Sequence, residues 1–391
     1  FTTPLFPFIQ TLGQQTLDNI APAFVLSQGP TVRPQGATPA AGLGQGVFGV
    51  QRDNGSGYAQ QWNLTLQKTL GSNWSVEAGY LGSKLTRLGV PDVNLNQLTV
   101  EQLALGSQLT QQAANPYFGE IPANTSLGTP TIARGQLLRP YPKYTTVALY
   151  RNNVGHSTYH SFQSRIEKRF SRSLTFSVAY TFSRLIDDAG AVFDSAVLTG
   201  PAANFQAADS FNKRLEKDVS TGNVPHIFSS GFVYELPFGQ RKLFGGWQLA
   251  GIVRAQSGSP VAVTQATNLN AFAGFGIQRP NRTADPALPA SQQSTGRWFN
   301  TAAFTQAPQF AIGNSSRNPV SGPGYRTVDL MLGKTFLLTE RLRAEFRAEA
   351  FNALNTPPLG NPNGSFGNAA FGTITTALDP RVFEFVLKLH F

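Results

Sequence analysis

The stretch RVFEFVLKLHF, residues 381–391, decides the fold. Alternate side chains of an extended chain point to opposite faces, and one face here is apolar throughout: Phe383, Phe385, Leu387, Leu389 and Phe391. The other face carries Glu384, Lys388 and His390. A membrane-spanning strand needs about 9–11 residues, so this stretch has the length and the two faces of an outer-membrane barrel strand. The closing strand of a soluble sandwich has the same pattern and is the alternative.

Composition excludes several classes of protein. Of the 391 residues 41% are hydrophobic, yet no stretch of about 18 apolar residues free of charges occurs, which excludes a helical membrane protein. The 30 Phe, 38 Gly and 26 Pro residues favour many strands and irregular loops over helices. The chain has no Cys, which excludes a disulfide scaffold and any Cys-ligated metal.

The net charge of +10 does not by itself indicate a nucleic-acid partner. Lys and Arg are scattered singly or alternate with Glu, and the chain has no basic block of five or six residues. We therefore expect no binding of nucleic acid. The sequence begins at Phe1 without a basic and apolar leader, so no export signal is visible in it.

The alternation of the last stretch repeats along the chain. Trp62, Leu64 and Leu66 alternate with polar residues, a tight turn at residues 71–73 follows, and Trp74 begins a second alternating run. Three further pairs and the last stretch follow the same pattern. Together they predict nine membrane strands: 58–70, 74–80, 162–170, 174–182, 225–237, 247–256, 325–336, 341–353 and 381–391.

Long connections separate the predicted hairpins: 87–156, 189–224, 259–324 and 354–380. A compact soluble domain rarely has several connections longer than about 15 residues, whereas outer-membrane barrels join strands by short periplasmic turns and long extracellular loops. We therefore expect all long connections at one rim. Residues 144–152 are expected to form the arm of a hairpin above the membrane, and residues 99–109 a short helix.

These patterns predict an all-β fold, an antiparallel transmembrane β-barrel. Residues 1–56 are expected to form an extracellular loop region, and residues 57–391 the C-terminal part of the barrel. Nine is an odd number of strands, whereas single-chain bacterial barrels have even numbers. The first strand ends in a short turn, so it runs inward and leaves Phe1 outside. We therefore expect at least one further strand upstream.

Two rows of charged residues lie on polar faces of predicted strands. They are Arg165, Glu167 and Arg169, and Arg343, Glu345, Arg347 and Glu349. Each Arg or Lys facing hydrocarbon at mid-depth costs about 2–4 kcal/mol, so both rows are expected to line the barrel interior. The solvated face of a soluble sheet is the alternative. Three lysines fall on the apolar face of their strands: Lys68, Lys168 and Lys334. Each is close to the end of its strand next to a short turn, where its long side chain can reach the membrane interface.

Several short motifs occur together between residues 57 and 391. They include Tyr159-His160-Ser161-Phe162-Gln163, Asp187-Asp188, Trp298-Phe299-Asn300, Ala350-Phe351-Asn352-Ala353-Leu354-Asn355 and Asp379-Pro380-Arg381. As an ensemble they resemble the C-terminal barrel of TonB-dependent receptor-like proteins of the bacterial outer membrane. The resemblance implies a barrel of about 22 strands, a plug, and an N-terminal carboxypeptidase-regulatory-like domain. The sequence shows no plug and no segment that matches the partner-contact box.

The resemblance also implies a function and partners. Ligand binds the outer loops and the plug, and a TonB-type energy-coupling protein of the inner membrane pulls on the plug, which is absent from this chain. The implied partners further include outer-membrane lipid and the barrel assembly machinery, which recognises a terminal aromatic residue such as Phe391. A passive outer-membrane pore and a non-membrane β-sheet protein for surface adhesion share the strand pattern and stay open as alternatives.

No motif predicts an enzyme, a cofactor or a metal site. GQGVFG at residues 44–49 matches Gly-x-Gly-x-x-Gly, but neither a clear strand nor a helix frames it. The four His residues lack the paired spacing of metal ligands. Asp187 and Asp188 are expected at a solvated loop entrance, and contact with a divalent ion or a ligand is the alternative.

Residues 266–310 mix Asn, Gln and Gly with aromatic side chains. Such a composition stacks on sugars or rigid organic ligands, and the candidate ligand contacts are Trp298, Phe299 and Phe304. The alternative is that these rings pack the loop against its neighbours.

Overall fold

A computed structural model of the chain describes residues 42–49, 51–149, 152–171, 173–189, 208–237, 245–339 and 342–391. The predictions for residues 1–41 and for the turn residues Arg172, Phe238, Gly239 and Glu340 fall outside these ranges. Among the described residues, no helix has the length and apolar content that crossing a lipid bilayer requires.

Nine long antiparallel strands pair in series within one sheet, and we call these nine strands the wall; the two-residue strand Asp218–Val219 also pairs into this sheet, at its edge. They are β1 Tyr58–Leu70, β2 Trp74–Gly89, β3 Asn153–Ser171, β4 Leu174–Asp187, β5 His226–Glu235, β6 Trp247–Gln256, β7 Tyr325–Leu337, β8 Arg343–Phe351 and β9 Val382–His390. Each strand pairs with the next in chain order, and β1 and β9 are the outermost strands of this path. The nine predicted strands are confirmed. The strands β2 and β3 reach about nine residues further toward their long connection than the alternation indicates.

The register keeps the apolar residues of neighbouring strands on one face. Leu64 lies opposite Tyr80, which lies opposite Phe162, and at the other edge Ala348 lies opposite Phe385. These large side chains are uncovered by protein, since Leu64 is 64% exposed and Phe385 is 69% exposed. We call this continuous apolar face the belt. An apolar surface of this extent is energetically acceptable only against another apolar phase.

Antiparallel pairing in chain order places every long connection at the same end of the wall. These connections are residues 90–152, 188–225, 257–324 and 352–381, while the other end holds the short turns. The prediction of a single rim for the long connections is confirmed. We call this end the long-loop rim and the opposite end the turn rim.

The long connections carry secondary structure of their own. With residues 42–49 they form a unit that we call the cap. Its short strands are Gly46–Gly49, Val93–Asn94, Gln112–Ala114, Thr131–Ala133, Thr146–Leu149, Asp218–Val219, Pro260–Val261, Thr264–Gln265, Asn281–Arg282, Phe304–Thr305, Val320–Ser321 and Ser365–Phe366. Its α-helical turns are Val100–Leu103 and Arg134–Leu137, and its 3-10 turns are Gly106–Thr110, Lys213–Glu216, Ala271–Ala273, Ala290–Gln292 and Thr301–Ala303.

Two predictions for the cap have different outcomes. The helix predicted within residues 99–109 is confirmed, because Thr99 and Gln102 form a reciprocal capping box at the start of Val100–Leu103. The extended arm predicted within residues 144–152 is present as the cap strand Thr146–Leu149, but the predicted hairpin is wrong. Thr146–Leu149 pairs in parallel with Gly46–Gly49 and antiparallel with Val93–Asn94, not with β3.

The buried apolar residues of the described chain lie mainly in the cap. Three clusters form its core: Val261, Val263, Phe299, Ala303, Phe304 and Val320; Leu98, Leu103, Leu109, Ala273 and Phe275; and Leu43, Ile121, Leu127 and Ile132. The second cluster joins two connections that are far apart in sequence, and the Leu98 amide donates to the Ala273 carbonyl at 2.9 Å. The long connections therefore fold against one another.

Candidate functional site

Both predicted rows of charge lie on the face of the wall opposite the belt. In the first row Arg165 forms an ion pair with Glu167, and Glu77 lies opposite Arg165 on the neighbouring strand. In the second row Arg347 Nε donates to Glu345 Oε1 at 2.5 Å. The structure therefore pairs charges within each row. This face is the one expected to line a barrel lumen.

The second row continues across to β9. His390 Nε2 lies 3.3 Å from Glu345 Oε2, and Lys388 lies opposite Glu345 in the register. Glu349 and Glu384 lie opposite each other, so one position of the row places two carboxylates side by side. Like charges in directly opposed positions are destabilising in the absence of a counterion or water. This position is therefore expected to be hydrated.

The three lysines predicted to share the belt face, Lys68, Lys168 and Lys334, lie at the turn rim, as the sequence predicts. Lys334 Nζ lies 4.7 Å from the ring centre of Trp247 and 4.9 Å from that of Phe336. Lys168 Nζ donates to the Leu174 carbonyl at 3.3 Å. Cation–π contacts and backbone carbonyls are suitable partners for an ammonium group at the edge of a membrane.

Replacement of Leu330 by arginine is expected to destabilise the barrel by about 2–4 kcal/mol, because Leu330 faces outward near the middle of β7. Met331 is the next residue and faces the other way, opposite Glu349. Met331→Arg is therefore the matched control and is expected to cost less than about 1 kcal/mol. Urea unfolding in lipid vesicles, followed on gels that separate folded from unfolded protein, measures both variants. Equal destabilisation by both variants would contradict the assignment of the two faces.

The three aromatic candidates for ligand contact have different surroundings. Phe299 is 1% exposed and Phe304 is 4% exposed, and their rings meet edge to face with centres 6.0 Å apart. Phe371 stacks edge-on against both rings. Trp298 is partly buried, and its Nε1 donates to the Ser321 carbonyl at 2.8 Å. The structure thus places Phe299 and Phe304 in the core of the cap, where neither ring presents a face to a ligand.

Asp187 and Asp188 lie at the entrance to a long connection, as expected, but Asp187 is not solvated there, since it is only 5% exposed. Both have protein partners: Asp187 Oδ1 accepts from Arg317 at 2.6 Å, and Asp188 lies 3.2 Å from Lys213 Nζ. Asp188 also accepts from the His156 amide at 2.6 Å. Within the described ranges, no group of three His, Asp or Glu side chains has the arrangement of a metal site. These two carboxylates therefore tie connections together.

A buried polar network joins the connections, and no sequence motif indicates it. Gln97 Nε2 donates to Asp209 Oδ1 at 2.6 Å, and the Ser210 amide donates to Gln97 Oε1 at 3.0 Å. Glu216 forms an ion pair with Arg279, and both side chains are about nine-tenths buried. Each contact joins residues at least 60 positions apart in the chain. Spacing in the sequence could not have revealed them.

A second buried guanidinium joins connections 90–152 and 257–324. Arg139 donates to the Thr145 carbonyl at 2.7 Å and to the Phe272 carbonyl. Burial lowers the pKa of Arg139 to about 10, because the low-dielectric interior disfavours its charged form. The side chain still carries its charge at neutral pH, and carbonyl dipoles rather than a carboxylate offset the cost of burying it.

A cavity of about 130 Å³ lies at the base of the cap, beside the wall. Its lining is largely apolar but includes Asp188, Asp209, Lys213 and Glu216. Asn152 also lines it, and its buried Oδ1 has no hydrogen-bond partner. A cavity of this size with polar groups in its lining can hold a few water molecules or one small polar ligand.

The glycine motif of residues 44–49 has no phosphate-binding geometry. Gly46–Gly49 is a short strand of the cap, paired in parallel with Thr146–Leu149. A dinucleotide site requires a helix that begins directly after the glycines, whereas the described residues that follow lead to β1. The motif therefore serves the packing of the cap.

One known protein family matches nearly the whole chain. Residues 3–384 match the family described as outer membrane beta barrel domain. The chain belongs to this family. The belt of this outer-membrane β-barrel domain thus faces membrane lipid, and its location is the bacterial outer membrane. No curated protein sequence matches the chain.

Several solved structures resemble this β-barrel domain. The outer membrane transporter YddB from Escherichia coli is 12% identical, with a TM-score of 0.43, over 89% of this chain and 34% of YddB. The FrpB iron transporter from Neisseria meningitidis is 10% identical, with a TM-score of 0.38, over 88% and 33%. The pyoverdine outer membrane receptor FpvA from Pseudomonas aeruginosa PAO1 is 12% identical, with a TM-score of 0.37, over 85% and 30%. The present chain spans about a third of each of these proteins.

Proposed function

We propose that the chain forms the wall and the extracellular cap of an energised outer-membrane transporter of the TonB-dependent type. In this proposal the cap binds the ligand, a plug closes the lumen, and a TonB-type protein supplies the energy through that plug. The sequence motifs between residues 57 and 391 support it, as does the charged face opposite the belt. The chain itself is proposed to be non-catalytic, and its terminal Phe391 is proposed to guide the barrel assembly machinery.

The observation that carries the proposal is the packing of the long connections into one cap. Connections 90–152 and 257–324 leave the wall four strand positions apart, which is about 19 Å along the sheet. They nevertheless meet in a common core and a backbone hydrogen bond. A cap of this kind partly covers the mouth of a barrel and offers folded surface to a ligand. A passive pore needs an open mouth instead.

Conductance of the complete gene product in planar lipid bilayers is the first test. An energised transporter is closed by its plug, so we expect no steady current in potassium chloride solution. The second test is a binding experiment in which the periplasmic domain of the host's own TonB-type protein is immobilised on a column. We expect this column to retain the detergent-solubilised gene product. A steady ohmic current without such binding would instead support a passive pore, and solubility without detergent would support a surface adhesion protein.

A further inference from the structure

Three basic side chains lie on the belt face close to the long-loop rim. In the register Gly82 lies opposite His160, which lies opposite Arg184, and Lys84 is two residues further along β2. All three basic side chains are exposed. Positions that are directly or diagonally opposed on neighbouring strands bring long side chains within reach of one another. Lys84, His160 and Arg184 therefore form one basic patch that faces outward.

The depth of this patch follows from the geometry of β2. Trp74 begins β2 at the turn rim, and Lys84 lies ten positions further along the strand. Ten positions correspond to about 33 Å along a strand. A strand tilt of about 40° reduces this to about 25 Å across the membrane, which equals the height of the apolar band of an outer-membrane barrel. The patch thus lies at the outer edge of the band, at the level of the lipid headgroups.

The two permanent cations of the patch have no carboxylate partner in the protein. Among the residues that the structure describes, neither Lys84 nor Arg184 forms an ion pair or a side-chain hydrogen bond. Cations on a lipid-facing surface are costly unless an anion or water satisfies them. Lys84 and Arg184 flank His160 from the two neighbouring strands, so an anion that lies over His160 is attracted by both cations.

Aromatic side chains shape the patch. The indole of Trp62 lies across Gly82, where a Cβ atom would lie only 2.3 Å from Trp62 Nε1, so glycine is required there. Trp62 also meets the His160 ring edge to face at 6.3 Å. Tyr80 Oη lies 2.7 Å from His160 Nδ1. When Tyr80 donates this hydrogen bond, Nε2 carries the proton of the neutral imidazole and is a donor toward the lipid.

We propose that Lys84, His160 and Arg184 bind a phosphate group of the phosphorylated glycolipid in the outer leaflet. A guanidinium forms two parallel hydrogen bonds with a phosphate, and an ammonium adds a compact charge. The aromatic rings of Trp62 and Tyr80 lie where such rings are favoured, at the boundary between acyl chains and headgroups. The position at the long-loop rim selects the glycolipid of the outer leaflet over the phospholipids of the inner leaflet.

Native mass spectrometry tests this site. The complete gene product is mixed with bisphosphorylated lipid A in detergent micelles, and the fraction of protein that keeps the lipid after release from the micelles is measured. The double variant Lys84→Gln/Arg184→Gln is expected to retain the lipid about tenfold less than the natural protein, because two charge-assisted contacts are lost. Lys68→Gln is the matched control, since it removes one cation from the same face at the turn rim, and it is expected to leave binding unchanged. Arg184→Lys keeps the charge but loses one of the two parallel hydrogen bonds, so it is expected to bind the lipid less tightly than the natural protein and more tightly than the double variant.

Two competing lipids complete the experiment. Dephosphorylated lipid A and phosphatidylglycerol are both expected to bind weakly. For each of these two lipids, binding to the natural protein is expected to be about equal to binding to the double variant. Equal retention of lipid A by the natural protein and the double variant would overturn the proposal. A loss of lipid A binding in Lys68→Gln as large as that in the double variant would overturn it too. If the natural protein bound phosphatidylglycerol as tightly as it binds bisphosphorylated lipid A, the choice of glycolipid would be overturned. Migration as a folded, heat-modifiable band confirms that each variant is folded before it is compared.

Discussion

Replacement of Phe299 by alanine is expected to destabilise the cap by about 3–5 kcal/mol, the usual cost of removing a fully buried phenylalanine side chain. Phe299 is 1% exposed and lies at the centre of the first cluster, between Phe304 and Phe371. Removal of its ring leaves a cavity between connections 257–324 and 352–381, which supply all the residues of this cluster. The cap is therefore expected to open at least about 100-fold more often, while the wall stays folded.

The rate of thermolysin cleavage in the cap measures this opening, because proteolysis follows the population of the open form when closing is fast. Phe336→Ala is the matched control. Phe336 is 37% exposed on the belt and lies at the turn rim, the opposite end of the wall from the cap, so this change is expected to leave the cleavage rate unaltered. If Phe299→Ala left cleavage as slow as in the natural protein, the cap would not be a cooperatively packed unit.

The wall could be predicted from the sequence because its physics is local. Each strand pairs with its neighbour in chain order, so the faces of residues 381–391 and 174–182 follow from alternation alone. The apolar face needs no partner inside the protein, because lipid covers it. The strand ends were less certain: β2 continues to Gly89 beyond the last large apolar residue of its pattern, since hydrogen bonds with β3 extend it into the rim.

The cap could not be predicted because its contacts are long-range. Leu98, Leu103 and Leu109 have no strand or helix period, and their partner Phe275 lies more than 160 residues further on. Strands of two residues are too short to leave a periodic pattern. An aromatic ring in a polar loop has the same sequence environment whether it stacks on a ligand or, like Phe299, on Phe371.

The carboxylates at the loop entrance show the same limit. Asp187 and Asp188 end a recognisable strand, so their position at the rim could be predicted. Their partners could not, because Arg317 lies 130 positions from Asp187 in the sequence. Charges in the cap are thus predictable in number and not in pairing, which depends on how four connections fold together.

Removal of Glu216 is expected to be as damaging as the loss of Phe299, for an electrostatic reason. Glu216 is the ion-pair partner of Arg279, and its other oxygen accepts from the Ala208 amide at 3.0 Å. Burial lowers the pKa of Arg279, and the negative charge of Glu216 opposes that shift. Glu216→Ala leaves the guanidinium buried with the Leu215 carbonyl as its one remaining hydrogen-bond partner among the described residues, so we expect a loss of about 3–5 kcal/mol of cap stability.

A double-mutant cycle separates the charge from the shape of this pair. Glu216→Gln keeps the size of the side chain and loses its charge, and Arg279→Met keeps the apolar stem and loses the guanidinium. Each single change is expected to speed thermolysin cleavage of the cap, because it leaves one buried charge without its partner. The double variant leaves no unpaired charge, so most of the lost cap stability is expected to be recovered. Additive effects of the two changes would show that Glu216 and Arg279 do not act as a pair.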